Sequence, residues 1–167
     1  MKRLWSPWRM PYIESQASDP DCLFCRRLAQ ADGPENLVLA RAPLAFTILN
    51  RYPYTNGHMM VVPYDHVPSI DQLTPEVQGA LMQLSSQAVT VLRLVYGAES
   101  FNLGVNIGAA AGAGVADHVH VHIVPRWPGD TNFMATVGET RVIPEALEKT
   151  YERLHAGWLQ VLPPPSA

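Results

Sequence analysis

The chain has 167 residues, of which 47% are hydrophobic and 16% charged. This composition excludes an intrinsically disordered chain, and a net charge of −3 excludes a basic surface for DNA or an anionic membrane. Apolar runs fall short of the ~18 residues of a membrane helix, and the first residues lack the apolar core of a signal peptide. We therefore expect a compact cytoplasmic protein with neither DNA nor a membrane as partner.

The first third of the chain predicts an arm followed by short strands. Residues 1–20 carry three prolines and several aromatic side chains, which predicts an N-terminal arm lying on a surface, and residues 21–167 are then a single domain with its core at about 21–130. A short helix is predicted from Cys22 to about Asp32, where Asp-Gly-Pro follows. Apolar runs bounded by turn residues predict three strands, at 37–41, 46–50 and 58–62.

The clearest helix begins after Thr74, a good N-cap, with Pro75 in the first helical position. Its apolar residues recur at three-and-four spacing up to Tyr96-Gly97. Beyond it the pattern predicts a strand at 101–107, a glycine-alanine loop, a strand at 118–124 that stops at Pro125, and a last helix at about 144–159. These elements predict an α+β fold, a roughly five-stranded antiparallel sheet with one long packed helix and a C-terminal helix.

The segment His118-Val-His-Val-His-Ile-Val carries most of the functional information. On a strand, alternate side chains share a face, so all three histidines are predicted to point the same way, about 6.6 Å apart. Three of the six histidines fall in this one run. That pattern favours metal binding or catalysis over a purely structural role.

This segment resembles the signature of the histidine triad (HIT) superfamily, His-φ-His-φ-His-φ-φ with φ apolar. The resemblance extends over about residues 20–130 and includes the segments at 50–58, at Asn106 and at 125–130. The opening residues 4–10 and the stretch 129–133 are similar to a bacterial subgroup that includes diadenosine tetraphosphate phosphorylases. The resemblance implies a HIT-like fold and a homodimer.

The resemblance also implies an enzyme that cleaves at the α-phosphate of a dinucleoside polyphosphate or another nucleotide. The middle histidine of the signature is the family's nucleophile and falls on His120; His122 would contact the phosphate or the leaving oxygen. Neutral imidazole is nucleophilic near pH 7, and the nucleotidyl-imidazole that it forms is labile. Two readings of the same residues remain open, a non-catalytic nucleotide-binding protein and a nucleoside phosphoramidate hydrolase.

Several further positions are candidates for nucleotide contact. The loop 108–114, with Gly112 and Gly114, either forms a backbone nest for phosphate or provides only turn flexibility. Many family hydrolases have Gln or Ser where this chain has Gly114, so a side-chain phosphate contact is absent there. The resemblance implies phosphate or ribose contacts at Asn50 and Asn106. His58 follows the same pattern, although a packing residue at the entry to a strand is an equal interpretation.

Cys22 and Cys25 form a Cys-x-x-Cys pair, which suits a zinc site, a redox pair or two inert thiols. Two cysteines need two further ligands for tetrahedral zinc. In the resembling proteins that bind zinc, the partners correspond to His66 and His118. The resemblance thus implies one structural zinc per chain, while unmetallated cysteines and a redox protein built on the two cysteines are the remaining alternatives.

The sequence leaves open whether phosphate or water accepts the nucleotidyl group. Arg126 follows the histidine run and offers a guanidinium fork for an incoming phosphate, although an exposed arginine at a strand end is an equal reading. Trp5, Trp8 and Trp127 either stack on a base or pack the arm, and packing is favoured. His155 is predicted at a surface or interface.

Overall fold

A computed structural model describes residues 22–130 and 145–162. The predicted arm at 1–20, with Trp5 and Trp8, lies outside these residues. The described chain forms a five-stranded antiparallel sheet in the order β1-β2-β3-β5-β4. The strands are β1 Val38–Arg41, β2 Ala45–Leu49, β3 Met59–Pro63, β4 Ser100–Val105 and β5 Val121–Arg126. Its helices are α1 Leu23–Leu28, α2 Pro75–Tyr96 and α3 Leu147–Val161, and the predicted α+β fold is confirmed.

Helix α2 begins and ends as its sequence predicts. The Thr74 hydroxyl accepts a hydrogen bond from the Val77 N–H at 3.3 Å, and Gly97 ends the helix in the left-handed conformation with φ of 59°. One face of the helix is buried against β2, β3 and β5. Its buried apolar residues are Val77, Leu81, Leu84, Ala88, Val91 and Leu92.

Helix α3 packs against α2 at close range. A Cβ atom at Gly157 would lie 2.6 Å from Cγ2 of Val95, so only glycine allows this approach. The helix also buries three large side chains, those of Tyr151, Leu154 and Trp158. The helix is shifted toward the C-terminus by about one turn at its start relative to the prediction, and it ends at Val161.

The strand that carries the histidines is a correction to the prediction, because β5 begins at Val121 rather than His118. Along the chain, Val121 is the first residue of this segment that pairs with β3 and with β4. Just before it, the Val119 N–H donates instead to the carbonyl of Val67 at 2.8 Å. His118 and His120 therefore precede the sheet, and only His122 lies within it.

Pro125 does not end β5, which continues to Arg126. In an antiparallel strand the N–H and C=O of one residue point to the same side. The Pro125 carbonyl accepts a hydrogen bond from the Thr55 hydroxyl at 2.9 Å, which places that side toward β3. Pairing with β3 has already ended at Ile123, so the missing N–H of proline costs no ladder hydrogen bond.

Candidate active site

A continuous row of rings runs along the histidine segment. The ring of Phe24 on α1 lies between His118 and His120, with centroids 5.3 Å and 5.0 Å away. His120 and His122 follow at 4.9 Å. The row continues to His58, 5.2 Å from His122, so the three histidines do lie together although two of them precede the strand.

His120 is held as a neutral imidazole with one free nitrogen. Its side chain is 3% exposed, and its Nδ1 lies 2.8 Å from the carbonyl oxygen of His118. A carbonyl only accepts hydrogen bonds, so Nδ1 carries the proton and Nε2 keeps its lone pair. Burial lowers the pKa of His120, against a smaller opposing effect of the bond to the carbonyl. The Nε2 lone pair is what a nitrogen nucleophile requires.

His122 is oriented by His58. The Tyr54 N–H donates to Nδ1 of His58 at 3.1 Å, so the proton of that ring resides on Nε2. His58 Nε2 lies 3.0 Å from Nδ1 of His122 and donates to it. The proton of His122 is consequently on its own Nε2.

His58, for which nucleotide contact and packing were both open, is fully buried, and both its ring nitrogens face protein partners. This position favours the packing alternative. Asn50, expected to contact the nucleotide, is half-buried; its Oδ1 accepts from the Tyr52 N–H at 3.0 Å and its Nδ2 lies 3.4 Å from Nδ1 of His58.

The edge strand β4 brings Asn106 and the glycine-alanine loop to the histidines. Val105 pairs with Val121, so continuing the register places Asn106 opposite His120. The loop then leads back to His118, and Gly112 adopts φ of 82°, a conformation that glycine adopts freely. Residues 109–112 are exposed while Gly114 is half-buried, so the loop borders the histidine row at the surface.

Gly104 is a site residue that the sequence analysis missed. It pairs directly with His122, and a Cβ atom built on it would meet nothing within 4 Å. The absent side chain leaves open space beside the His122 imidazole. A glycine inside an alternating strand is a known signal of close approach by a ligand or a backbone, and the segment 101–107 carried that signal.

Four side chains form a cluster at the other end of the row. Cys22 Sγ lies 3.3 Å from Nδ1 of His118, Cys25 Sγ lies 3.3 Å from Nδ1 of His66, and all four ligand atoms lie within 4.8 Å of one another. Ligands at about 2.3 Å (sulfur) and about 2.0 Å (nitrogen) from a tetrahedral zinc are roughly 3.5 Å apart. The cluster therefore fits a tetrahedral ion with little movement.

The electrostatics of this cluster also suit a cation. Burial lowers the pKa of His118, and its Nε2–H donates to the Pro63 carbonyl at 3.0 Å, which leaves Nδ1 free as a ligand. Burial raises the pKa of the Cys25 thiol, with a further rise from Cys22. A bound divalent cation would lower the pKa of the thiol again, because coordination deprotonates a thiol.

The guanidinium fork of Arg126 is occupied within the fold. Its Nε and Nη2 bond the two carboxylate oxygens of Asp130 at 2.6 Å and 2.7 Å, and its Nη1 bonds Asn102 at 3.1 Å. The Asp130 carboxylate also accepts the Trp127 N–H at 3.2 Å. This arrangement favours a structural role for Arg126 over the phosphate-binding alternative.

The remaining candidates lie in packing positions. The indole N–H of Trp127 donates to the Tyr96 carbonyl at 3.3 Å, in agreement with the packing alternative. His155 is half-buried, with its ring 5.5 Å from that of Tyr151. Among the described residues, no helix is both long and apolar enough to cross a membrane.

Residues 33–129 match the model of the HIT domain family. The chain belongs to that family, and the resemblance inferred from the histidine signature is confirmed. The chain is an enzyme of the HIT family, as predicted.

Relatives and neighbours agree with this assignment. The chain is 39% identical to an AP-4-A phosphorylase of Mycobacterium tuberculosis over 166 residues, covering 95% of this chain and 85% of the relative. It is 36% identical to the asymmetrical bis(5'-nucleosyl)-tetraphosphatase of Schizosaccharomyces pombe, covering 56% of this chain and 50% of that protein. A zinc-bound histidine triad family protein from Mycobacterium smegmatis superimposes with a TM-score of 0.68 at 26% identity, covering 84% of this chain and 95% of that one.

Proposed function

We propose that the enzyme cleaves dinucleoside polyphosphates at an α-phosphate through a covalent nucleotidyl-His120 intermediate. One observation carries this proposal. The unprotonated Nε2 of His120 and the protonated Nε2 of His122 belong to neighbouring rings, 4.9 Å apart between centroids, and the proton position on each follows from a hydrogen bond to its Nδ1. A nucleophile and a hydrogen-bond donor side by side suit in-line transfer at phosphorus.

The first step forms one bond and breaks another. The Nε2 lone pair of His120 bonds to the α-phosphorus, and the bond from phosphorus to the bridging oxygen breaks with its electron pair on that oxygen. The ring becomes cationic, and its Nδ1–H remains bonded to the His118 carbonyl, which stabilises the charge. His122 donates its Nε2–H to a phosphate oxygen or to the leaving oxygen. In the second step an acceptor oxygen displaces His120 and restores the neutral ring.

We propose inorganic phosphate as the acceptor. The similarity to the AP-4-A phosphorylase of Mycobacterium tuberculosis extends over 95% of this chain, and it supports phosphate over water. Diadenosine tetraphosphate supplied with inorganic phosphate should yield ADP and ATP, and without it little turnover. Formation of AMP and ATP at a rate indifferent to phosphate would identify a hydrolase instead.

The nucleophile is tested by His120→Ala, with His155→Ala as the matched control. We expect His120→Ala to lower kcat at least about 1000-fold, as for removal of a covalent nucleophile, while nucleotide binding persists. Mass spectrometry of acid-quenched wild-type enzyme should show one added nucleotidyl group, which is absent in His120→Ala. Unchanged turnover in that variant would refute the mechanism.

We propose that Cys22, Cys25, His66 and His118 hold one structural zinc ion. The ligand spacing and the free Nδ1 of His118 support this, and the neighbour from Mycobacterium smegmatis is zinc-bound. A bound ion would fix His118, whose carbonyl orients His120. Metal analysis of protein purified without added zinc should give one ion per chain, and a content near zero would end the proposal.

We propose a cytoplasmic location, because Cys22 and Cys25 form no disulfide and such cysteines suit a reducing compartment.

We also propose a single domain that associates as a homodimer. Within residues 22–130 and 145–162, no strand pairs with the outer edge of β4. Leu103 on this strand is 45% exposed, and Ile107 just beyond it is 44% exposed. An open edge with apolar side chains favours pairing with a second copy. Light scattering should show a dimer at micromolar concentration that Leu103→Arg converts to monomer; a wild-type monomer would remove the proposal.

A further inference from the structure

Helix α3 lies outside the segment that matches the HIT family model, yet it contacts the turn that leads to His58. Thr150, at the start of the helix, is 3% exposed, and its hydroxyl lies 3.3 Å from Oδ1 of Asn56. The same hydroxyl lies 2.9 Å from Oε2 of Glu145, the residue just before the helix. A contact therefore runs from the end of the chain to the turn that precedes the histidine pair.

The carboxylate of Glu145 is the centre of this contact. It accepts hydrogen bonds from the hydroxyl of Tyr96 and from Arg153 at 2.8 Å, in addition to Thr150 and Asn56. The guanidinium of Arg153 also stacks 4.5 Å above the Tyr96 ring. Burial opposes ionisation, but these hydrogen bonds prevail and lower the pKa of Glu145 to about 2. The carboxylate is thus charged, and the network intact, throughout the neutral range.

Three consecutive residues of the turn are each fixed to a different element. Thr55 donates to Pro125 on β5, and Asn56 bonds to the start of α3. Gly57 adopts φ of 77° and passes so close to α2 that a Cβ atom would lie 2.9 Å from Cδ2 of Leu92. The next residue is His58, whose N–H bonds to the Thr55 carbonyl at 3.1 Å.

The position of this turn decides the geometry of the His58–His122 pair. The two nitrogens are 3.0 Å apart, so a displacement of about 1 Å breaks the hydrogen bond. Without that bond, His122 is free to place its proton on Nδ1 and to present a lone pair to the phosphate. Resting on the function proposed above, we propose that Glu145 is a positioning residue, which acts through Asn56 and the Thr55–His58 turn to keep the proton of His122 directed at the substrate.

The activity test compares Glu145→Gln with Glu152→Gln on the same helix. Glu152 forms only an exposed pair with Lys149 at 2.9 Å, so it controls for the loss of one charge. We expect Glu145→Gln to lower kcat for diadenosine tetraphosphate about 10- to 100-fold with KM within about twofold, as for small misplacements far from the chemistry; Glu152→Gln should change neither. Thr150→Val, which removes only the hydroxyl, should act in the same direction if Glu145→Gln folds poorly.

A double-mutant cycle separates positioning from a general structural effect. In a His58→Leu background, Glu145→Gln should cause no further loss of kcat, because both changes remove the same orientation. If the fold-losses in kcat of the two single variants instead multiply in the double variant, the proposal is overturned. Histidine imidazole NMR gives a readout independent of turnover, since Glu145→Gln should shift the His122 proton from Nε2 toward Nδ1. Unchanged imidazole spectra would also overturn it, whereas a wild-type enzyme inactive on dinucleoside polyphosphates would overturn only the proposed function.

Discussion

The two ends of the histidine segment are held in opposite ways. At one end, His118 lies in a cluster of two thiols and a second imidazole within 4.8 Å, an arrangement that suits a metal ion. At the other end, His122 is held by hydrogen bonds that run from His58 through a turn to α3 and β5. A metal bond is strong and has few ligands, whereas a hydrogen-bond network is weaker and has many members. We therefore expect changes at the first end to affect folding and changes at the second end to affect chemistry.

Each end fixes the position of one imidazole proton, on His120 or on the neighbouring His122. The His118 carbonyl keeps the proton of His120 on Nδ1, and His58 keeps the proton of His122 on Nε2. The proton position on each ring is thus defined by the partner of its Nδ1 atom.

The largest expected effect is at the metal end. His66→Gln removes one ligand, and we expect it to abolish metal retention and to cost on the order of 3 kcal/mol or more of folding stability. For a domain of this size that is roughly 10 °C in melting temperature. His155→Gln, a histidine outside the cluster, should retain both metal and stability. Full metal content in His66→Gln, measured by metal analysis, would contradict the assignment.

At the opposite end we expect a kinetic effect. His58→Leu removes the donor to His122, which should lower kcat about 100-fold, the usual contribution of an oriented proton donor. Metal content should remain at the wild-type level, since His58 lies outside the cluster. Steady-state kinetics and metal analysis on one preparation check both statements. A loss of metal in His58→Leu would show that the two ends are not independent.

Phe24 joins the two ends, since its buried ring contacts both His118 and His120. Phe24→Leu keeps an apolar side chain but removes the flat surface against both imidazoles, and we expect kcat to fall about 10-fold with metal retained. Phe101→Leu, on the sheet beneath Arg93, is the matched control and should leave kcat unchanged. Equal kcat values for the two variants would rule out a role for Phe24 in holding the nucleophile.

The smallest effect concerns acid stability. The pKa of Glu145 is lowered in the folded state to about 2, so its contribution is present above the unfolded value near 4.5 and is lost as the pH falls toward 2. Glu145→Gln should therefore lower stability at neutral pH by about 1–2 kcal/mol, as for a hydrogen-bonded charge. Its melting temperature should also depend less steeply on pH between 5 and 2. Glu152→Gln should follow the wild-type curve, and identical curves for all three proteins would contradict the shift.

Much of the fold and part of the site were predictable from local patterns. Helix α2 is specified by Thr74, Pro75 and Gly97, each of which acts on its own stretch of backbone. Apolar runs and alternating apolar residues predicted all five strands, with ends displaced by at most three residues. The histidine signature identified the family, and the Cys-x-x-Cys spacing together with the family pattern predicted the four side chains that the structure brings together.

The tertiary structure decided the properties that depend on contacts between residues distant in the sequence. The start of β5 is set by where β3 and β4 cease to pair with it, and no feature of the histidine segment itself encodes that point. The burial of His58 and the fork of Arg126 with Asp130 and Asn102 depend on how separate elements pack. The proton positions on His120 and His122 have the same origin, because an imidazole tautomer is chosen by whichever donor or acceptor folding places against it. Sequence alone therefore determined which chemical groups are present, and only folding determined which nitrogen of each imidazole carries the proton.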